Sequence, residues 1–373
     1  MRTSALAFIP AAAALAACGD NLPDPSARPP AEARAFITVG DFQATGLVTT
    51  VDLPSMWVDV DAVSGVAGAD PIVRRLGDEI AIVNRFNGDN VVVLDADALQ
   101  QVDDQMATGA GTNPQDAAAV GRKLYVPALG GPGVVVLDRD HPGTPTTIDL
   151  SRLDPDGKPD CSSAYAVDDR VYVICGLLPD GMPPARGNAV VAVIDSADDH
   201  VVTTFEVASQ NPLGQLVRTP EDSIYGGDLV IGTVPDFGDP STGCLARIGV
   251  GARPGDHGCV ASNRDLGGYV NRVDVAADGK ALWLAVASFD ADFHARGRMV
   301  RLDLATGVRG EPVSPDSQVV TDLACCPGGW VVAADTTMGA SGLRIYKDGV
   351  EQTTRPLSIG QPISWAAYNL TCL

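Results

Sequence analysis

The stretch Asn113-Pro114-Gln115-Asp116-Ala117-Ala118-Ala119-Val120, then Gly121-Arg122, then Lys123-Leu124-Tyr125-Val126, and finally Gly133-Val134-Val135-Val136-Leu137-Asp138 decides the fold. It reads as strand, polar turn, strand, short connection, strand, closed by an aspartate. β-Branched and aromatic residues in near-continuous apolar runs suit strands covered on both faces. The closing aspartate can accept hydrogen bonds from the amides of the next turn, as turn aspartates commonly do.

The pattern recurs along the chain. Glu79-Ile80-Ala81-Ile82-Val83-Asn84 precedes Asn90-Val91-Val92-Val93-Leu94-Asp95, and Arg170-Val171-Tyr172-Val173-Ile174 precedes Ala189-Val190-Val191-Ala192-Val193-Ile194-Asp195. A fourth copy runs from Asp278 through Ala281-Leu282-Trp283-Leu284-Ala285-Val286 to Met299-Val300-Arg301-Leu302-Asp303. Weaker copies lie at Asp228 to Val234 and at Trp330 to Asp335 with Leu343-Arg344-Ile345-Tyr346. Asp-Gly pairs at 278 and 348 mark tight turns between antiparallel strands. Each unit is therefore a small antiparallel sheet of about four strands, which cannot bury both faces alone. Radial stacking solves this and protects the sheet edges, so the expected fold is an all-β propeller.

Counting innermost strands gives about seven blades, with starts near Asp70, Asn113, Ser162, Asn211, Tyr269, Val319 and Ile363. The last of these, Pro362 to Leu370, has no strands behind it. At the other end Phe36-Ile37-Thr38-Val39, Gly46 to Val51 and Met56 to Val60 are three strands without a first. Pairing the C-terminal strand with the N-terminal ones completes a blade from both termini and closes the ring. Two β-sandwich domains are the alternative, although no linker-like break follows residue 36.

The copy from Asn113 to Asp138 resembles the YVTN type of bacterial propeller repeat, with its Asn-Pro, apolar strand, Lys-Leu-Tyr-Val-like strand and Val-x-Val-Ile-Asp ending. About four blades carry the motif; those around 211–260 and 318–360 depart from it. The chain is thereby similar to the quinoprotein-amine-dehydrogenase-like superfamily, whose members usually lie outside the cytoplasm. That resemblance implies fold and not chemistry, since related propellers include enzymes, binding modules and structural surface proteins.

Composition narrows the function. The 373 residues are 45% hydrophobic, which excludes wholesale disorder, and 26 Lys+Arg against 47 Asp+Glu give a net charge of −21. Such acidity argues against nucleic-acid binding, which needs a positive surface, and against retention on anionic lipids. At the N-terminus Arg2, an apolar run from Ala5 to Ala14 and Leu15-Ala16-Ala17-Cys18-Gly19 read as a secretory signal of lipoprotein type, with Cys18 the lipidated residue. The expected organisation is a signal peptide over 1–17, a proline-rich tether over 18–35 and one propeller domain over 36–373. No second stretch approaches the length of a membrane-spanning helix. The expected location is the bacterial cell envelope, on an outer-membrane, periplasmic or surface face, with the lipid as the only membrane contact.

Seven further cysteines suit an oxidising compartment. Cys161 and Cys175 flank a strand pair, Cys244 and Cys259 enclose a polar loop, and Cys372 is expected to meet Cys325 or Cys326, leaving the other odd. A bond between adjacent Cys325 and Cys326 is the lesser alternative. No spacing is a Cys-x-x-Cys zinc or redox signature.

Recognition is expected on the face bearing the loops between second and third strands, because loops on a rigid ring are free to vary. Segments 176–188, 235–243, 287–298 and 336–341 read as long loops, and 84–90 and 127–133 as short ones. Ser288 to Arg298 mixes aromatic, acidic and basic groups most densely, including Asp290, Asp292, His294 and Arg296. Arg85, Asn87 and Asp89 with Asp116, Tyr165, Gln215, Arg272 and Asp322 are candidates to face the central channel, either to bind a ligand or to fill the channel with hydrogen-bonded groups. Asp154 to Asp160 has alternating carboxylates, but Tyr165 stands where an EF-hand needs glutamate, which excludes an EF-hand and leaves a nonstandard calcium loop as the lesser alternative. His141, His200, His257 and His294 share no spacing, so no metal site or cofactor is expected. Gly-x-Ser-x-Gly and phosphate-loop motifs are absent. The expectation is a monomeric, non-catalytic module binding a protein or envelope component. The rival is a lactonase-like hydrolase or an oxidoreductase with its site at the channel mouth, and a third possibility is a structural module recognised through its acidic surface.

Overall fold

A computed structural model of the chain describes residues 33–290, 292, 294–361, 363 and 367–373. Cys18 and the expected signal and tether lie outside the described residues, apart from residues 33–35. Seven four-stranded antiparallel sheets form the blades of a β-propeller. Blade 1 joins the C-terminal strand Ala367–Cys372 to Arg34–Gly40, Gly46–Asp52 and Trp57–Asp59. Blades 2 to 7 follow in sequence, with innermost strands Pro71–Leu76, Ala118–Val120, Cys161–Val167, Pro212–Arg218, Tyr269–Val275 and Val320–Cys326. The C-terminal strand pairs antiparallel with the first strand from Ala35↔Cys372 to Gly40↔Ala367, which closes the ring as the sequence pattern predicts.

The two-sided apolar runs follow from the stacking. In the second strand of blade 2, Ile80 and Ile82 enter the core shared with blade 1, while Ala81 and Val83 enter the core shared with blade 3. Side chains alternate across a strand, so one apolar run feeds two neighbours. Each of the seven blade-to-blade boundaries has such a core. A fully buried Val, Leu or Ile contributes about 1.5–3 kcal/mol.

In blades 3 and 4 the third residue of the second strand is a tyrosine whose hydroxyl reaches the next blade. Tyr125 of blade 3 donates its hydroxyl to Asp199 Oδ1 in the outer turn of blade 4 at 2.6 Å. Tyr172 of blade 4 accepts the Gly251 amide in the corresponding turn of blade 5 at 2.8 Å. The aspartates closing third strands act as anticipated: Asp95, Asp195 and Asp303 each accept from the amide two residues on, at 2.7, 2.9 and 3.1 Å. At the Asp348-Gly349 turn both residues have positive φ, 51° and 81°, a hairpin geometry that glycine eases.

Two boundaries differ from the sequence reading. The segment 287–298 is mostly strand, since Ala281–Phe289 and Ala295–Asp303 pair out to Phe289↔Ala295 and leave only 290–294 as a turn. The polar character of these residues reflects a hairpin projecting into solvent. The last strand, which the sequence reading starts near Ile363, is described only from Ala367, since residues 364–366 lie outside the described residues. In the innermost strand of blade 3 only Ala118–Val120 is regular, because Asn113 sits at φ 45° and Pro114 lacks an amide donor, leaving one isolated bridge from Pro114 to Ala128.

Cys161 pairs with Cys175, Cys244 with Cys259 and Cys326 with Cys372, and Cys325 is free. These bonds point to an oxidising, extracytoplasmic compartment. Among the described residues, no helix is long and apolar enough to cross a membrane.

Candidate functional site

Each blade brings one polar side chain to the channel, from its innermost strand or, in blade 3, from Asp116 just ahead of Ala118–Val120, and together they form a closed girdle. Arg74 of blade 2 lies 3.6 Å from Asp116 of blade 3, whose other oxygen accepts from Ser163 of blade 4 at 2.6 Å. Ser163 Oγ in turn accepts the Leu216 amide of blade 5 at 2.8 Å. Beside it, Gln215 accepts from Arg272 of blade 6, and Arg272 Nε lies 3.5 Å from Asp322 of blade 7. Asp322 accepts from Asn369 and from the Leu370 amide of blade 1, at 3.3 and 3.2 Å. Asn369 Oδ1 then accepts the Val73 amide of blade 2 at 3.0 Å, completing the circuit.

Further bonds cross the channel. Gln215 donates to Asp116 at 3.1 Å and to the Val73 carbonyl at 3.2 Å. Arg74 donates to the carbonyls of Ala164 and Leu216 at 3.0 and 2.9 Å, and its guanidinium sits 5.3 Å from the Tyr165 ring centre. Buried charges are tolerable only when paired and hydrogen-bonded; each charge of the girdle has an opposite partner, while Arg272 Nε, facing Asp322, is buried without a hydrogen bond. Burial still pushes the Asp322 carboxyl up to about 6, with the nearby Arg272 charge opposing the rise.

Above the girdle a cavity of about 440 Å³ opens, lined among others by Arg85, Gln115, Asp160, Asn211, Phe237 and Tyr368. Arg85 pairs with Asp70 and reaches Gln115 at 3.4 Å. Asp160 is 1% exposed, and the nearby Arg186 charge opposes the effect of its burial. Its Oδ2 accepts the Leu178 amide at 2.7 Å and so holds the base of the 176–188 loop. Burial, reinforced by Asp156 and Asp154, pushes the Asp160 carboxyl up to about 6. Arg186 instead bridges Asp154 and Asp156.

The remaining sequence candidates lie outward. Asn87 is exposed at φ 61° in the turn after Arg85, and Asp89 accepts the amides of Gly111 and Asn113 at 2.6 and 2.9 Å. At the tip of the blade 6 hairpin, Asp290 accepts from the amides of Asp292 and His294 and from Arg296 at 3.0, 2.9 and 2.8 Å. These donors, the His294 amide first, bring its carboxyl down to about 2.

Asp290, Asp292 and His294 place their ligand atoms within 4.8 Å of one another, as do Asp195, Asp198 and His200. The four histidines that share no spacing do share a neighbour type: His141, His200, His257 and His294 each face an aspartate, namely Asp138, Asp198, Asp228 and Asp290. Thus the candidates fall into three places. Asp116, Gln215, Arg272 and Asp322 are in the girdle with Tyr165 beside it, Arg85 is on the cavity wall, and Asn87 with the Asp290 hairpin is on the rim.

Sequence reasoning noted Asp160 only among the alternating carboxylates of 154–160, and it missed Arg74, Ser163 and Asn369 of the girdle. Their signal was one polar residue at a matching level in each innermost strand, which emerges only when the seven strands are aligned by blade.

No protein-family model matches the chain, and no curated protein matches it either. Solved propellers are similar in fold. Apo AztD from Citrobacter koseri superposes with a TM-score of 0.54 at 12% identity, over 91% of this chain and 98% of that one. The β-propeller domain of Cps50 (Swd1) from Myceliophteria thermophila gives 0.52 at 14%, over 79% and 87%. A puromycin hydrolase S511A mutant complexed with PGG gives 0.52 at 15%, over 78% of this chain and 48% of that one. At these identities the likeness is one of fold alone.

Proposed function

We propose that the chain is a YVTN-type propeller, anchored through a lipid on Cys18 in the bacterial cell envelope, that binds a protein or envelope component through the loops of one face and has no catalytic role. The observation carrying this reading is the girdle. The acids and cations at the channel centre are spent on one another, and the space left above them is a recess ringed by loops from several blades. An active site would need acid, base and cation converging on free space. Around the cavity, Arg85 is paired with Asp70 and Arg272 with Asp322, and the Asp160 carboxylate is engaged by the Leu178 amide. The three disulfides support the location, and the expected lipoprotein signal supports the anchor.

Intact mass spectrometry of protein purified from its own envelope tests the reading, under native and then denaturing conditions. A diacyl or triacyl mass on Cys18, and a co-purified polypeptide lost on denaturation, are expected. An unmodified chain would remove the anchor. A bound small molecule in the cavity would shift the reading to a ligand-processing propeller.

A further inference from the structure

The loops joining second to third strands all emerge on the cavity face, and six of the seven present one exposed large apolar side chain, in the loop or, in blade 6, at the strand end that enters it. These are Phe42, Phe86, Met182, Phe237, Phe289 and Met338, between 36 and 77% exposed, on blades 1, 2, 4, 5, 6 and 7. The seventh loop, 128–132 of blade 3, contributes Leu129 to the cavity wall. The cavity lies within this crown: Phe237 lines it, as do Arg85 beside Phe86 and Gly181 and Pro183 around Met182. Other exposed apolar residues, such as Val102, Val202 and Val350, sit singly on outer strands, which is ordinary. Phe42 adds a second sign. It holds φ 57°, a conformation unfavourable for a bulky side chain, while its ring is exposed and so gains little from the fold.

We infer that this crown docks a polypeptide surface that is both apolar and basic. The inference rests on the binding-module reading and names its partner class. Aromatic residues and methionine are the types enriched at protein interfaces. The seven loops carry seven aspartates against two arginines, and both arginines are consumed, Arg85 by Asp70 and Arg186 by Asp154 and Asp156. An acidic face with apolar tips repels an anionic bilayer and a second copy of itself, and it complements a cationic protein.

The test uses the mature full chain and the variant Phe86→Ser/Met182→Ser/Phe237→Ser/Met338→Ser, which keeps every charge. The probes are a synthetic peptide alternating leucine with lysine, its leucine–glutamate counterpart, polylysine, and phosphatidylcholine vesicles with and without phosphatidylglycerol. The leucine–lysine peptide is expected to bind and to weaken with salt. Its affinity falls about tenfold or more in the variant, as loss of aromatic anchors does, while polylysine binding is unchanged. Equal peptide affinity for both proteins overturns the inference. So does vesicle binding that the variant abolishes, or a dimer in sedimentation that it dissolves. Should the fourfold variant not fold, Phe86→Ser and Met338→Ser are read singly, since both side chains are largely exposed. Failure here leaves a co-purified partner of other chemistry visible in the envelope mass spectrum, so the two readings fall separately.

Discussion

Asn369, in the last strand, accepts the backbone amide of Val73, 296 residues earlier, at 3.0 Å. This bond joins blade 1 to blade 2 at the point where the polar girdle would otherwise be open. Closure of the ring therefore has three physical parts: the strand pairing from Ala35↔Cys372 to Gly40↔Ala367, the Cys326–Cys372 bond to blade 7, and the girdle itself. All three are long-range, so their formation must offset a large loss of chain entropy.

Removing one member of the girdle should cost far more than removing a matched pair. Arg272→Met leaves the Asp322 carboxyl buried without its cation, a loss of about 3–5 kcal/mol. Arg272→Met/Asp322→Leu removes both charges and should recover most of that. Arg272 opposes the rise of the Asp322 carboxyl to about 6, so its loss raises that carboxyl further, and protonation relieves the single variant already near pH 7 and more fully at pH 5. Urea unfolding at both pH values measures this. A single variant within about 1 kcal/mol of the parent at pH 7 would mean the girdle is not what holds the channel together.

Breaking the closing disulfide should destabilise the ring without rearranging the thiols. Cys326 lies in the core between blades 7 and 1, whereas Cys325, next along the strand, packs against the core between blades 6 and 7. Adjacent strand residues point to opposite faces. Cys326→Ala is therefore expected to leave Cys325 and Cys372 both free, at a cost of about 2–4 kcal/mol. Thiol labelling in denaturant without reductant should count two free thiols; none would show that Cys325 replaces its neighbour.

The blades were legible because their signal is local. Runs such as Asn90 to Asp95 and Ala189 to Asp195 can bury both faces only between neighbours, and their closing aspartates mark the turns. Ring closure was legible for a related reason: three strands lacked a first and one lacked followers. Pairing of Cys372 was open between two adjacent cysteines, because the face of a strand residue depends on register, which the sequence leaves undefined there. The girdle was half legible. Arg272 and Asp322 stand out as charges in apolar strands, but Ser163 and Asn369 look like ordinary turn-flanking residues until seven strands are superposed. The apolar crown was invisible, since one Phe or Met per loop attracts no notice until the loops share a face.

Asp160 should make the protein more stable in mild acid than at neutrality. Its folded-state carboxyl titrates near 6, above the ordinary value of 3.8, so the folded state binds the proton more tightly. Stability from this group therefore rises as pH falls from about 7 towards 4 and is lost again as pH climbs through 6. Asp160→Asn keeps an oxygen to accept the Leu178 amide but cannot titrate. Melting temperature against pH should be flatter for Asp160→Asn than for the parent between pH 7 and 5. Parallel curves would place the titration elsewhere, at Asp322 or in the relief of the overall −21 charge.

The two inter-blade tyrosines occupy the same strand position but should respond differently to loss of their hydroxyls. Tyr125 donates to the Asp199 carboxylate, which Lys123 also contacts at 2.8 Å. Bonds to charged groups contribute about 1.5–3 kcal/mol, so Tyr125→Phe should fall in that range. Tyr172 only accepts the amide of Gly251, an exposed turn residue that water can satisfy once the hydroxyl is gone. Tyr172→Phe should therefore cost about 0.5–1 kcal/mol. The rings remain, so neither variant opens a cavity, and the two hydroxyls act at different blade boundaries. The double variant should accordingly equal the sum within about 0.5 kcal/mol. Equal losses for the two single variants would show that the hydroxyls matter through the buried ring rather than through the turn each one reaches.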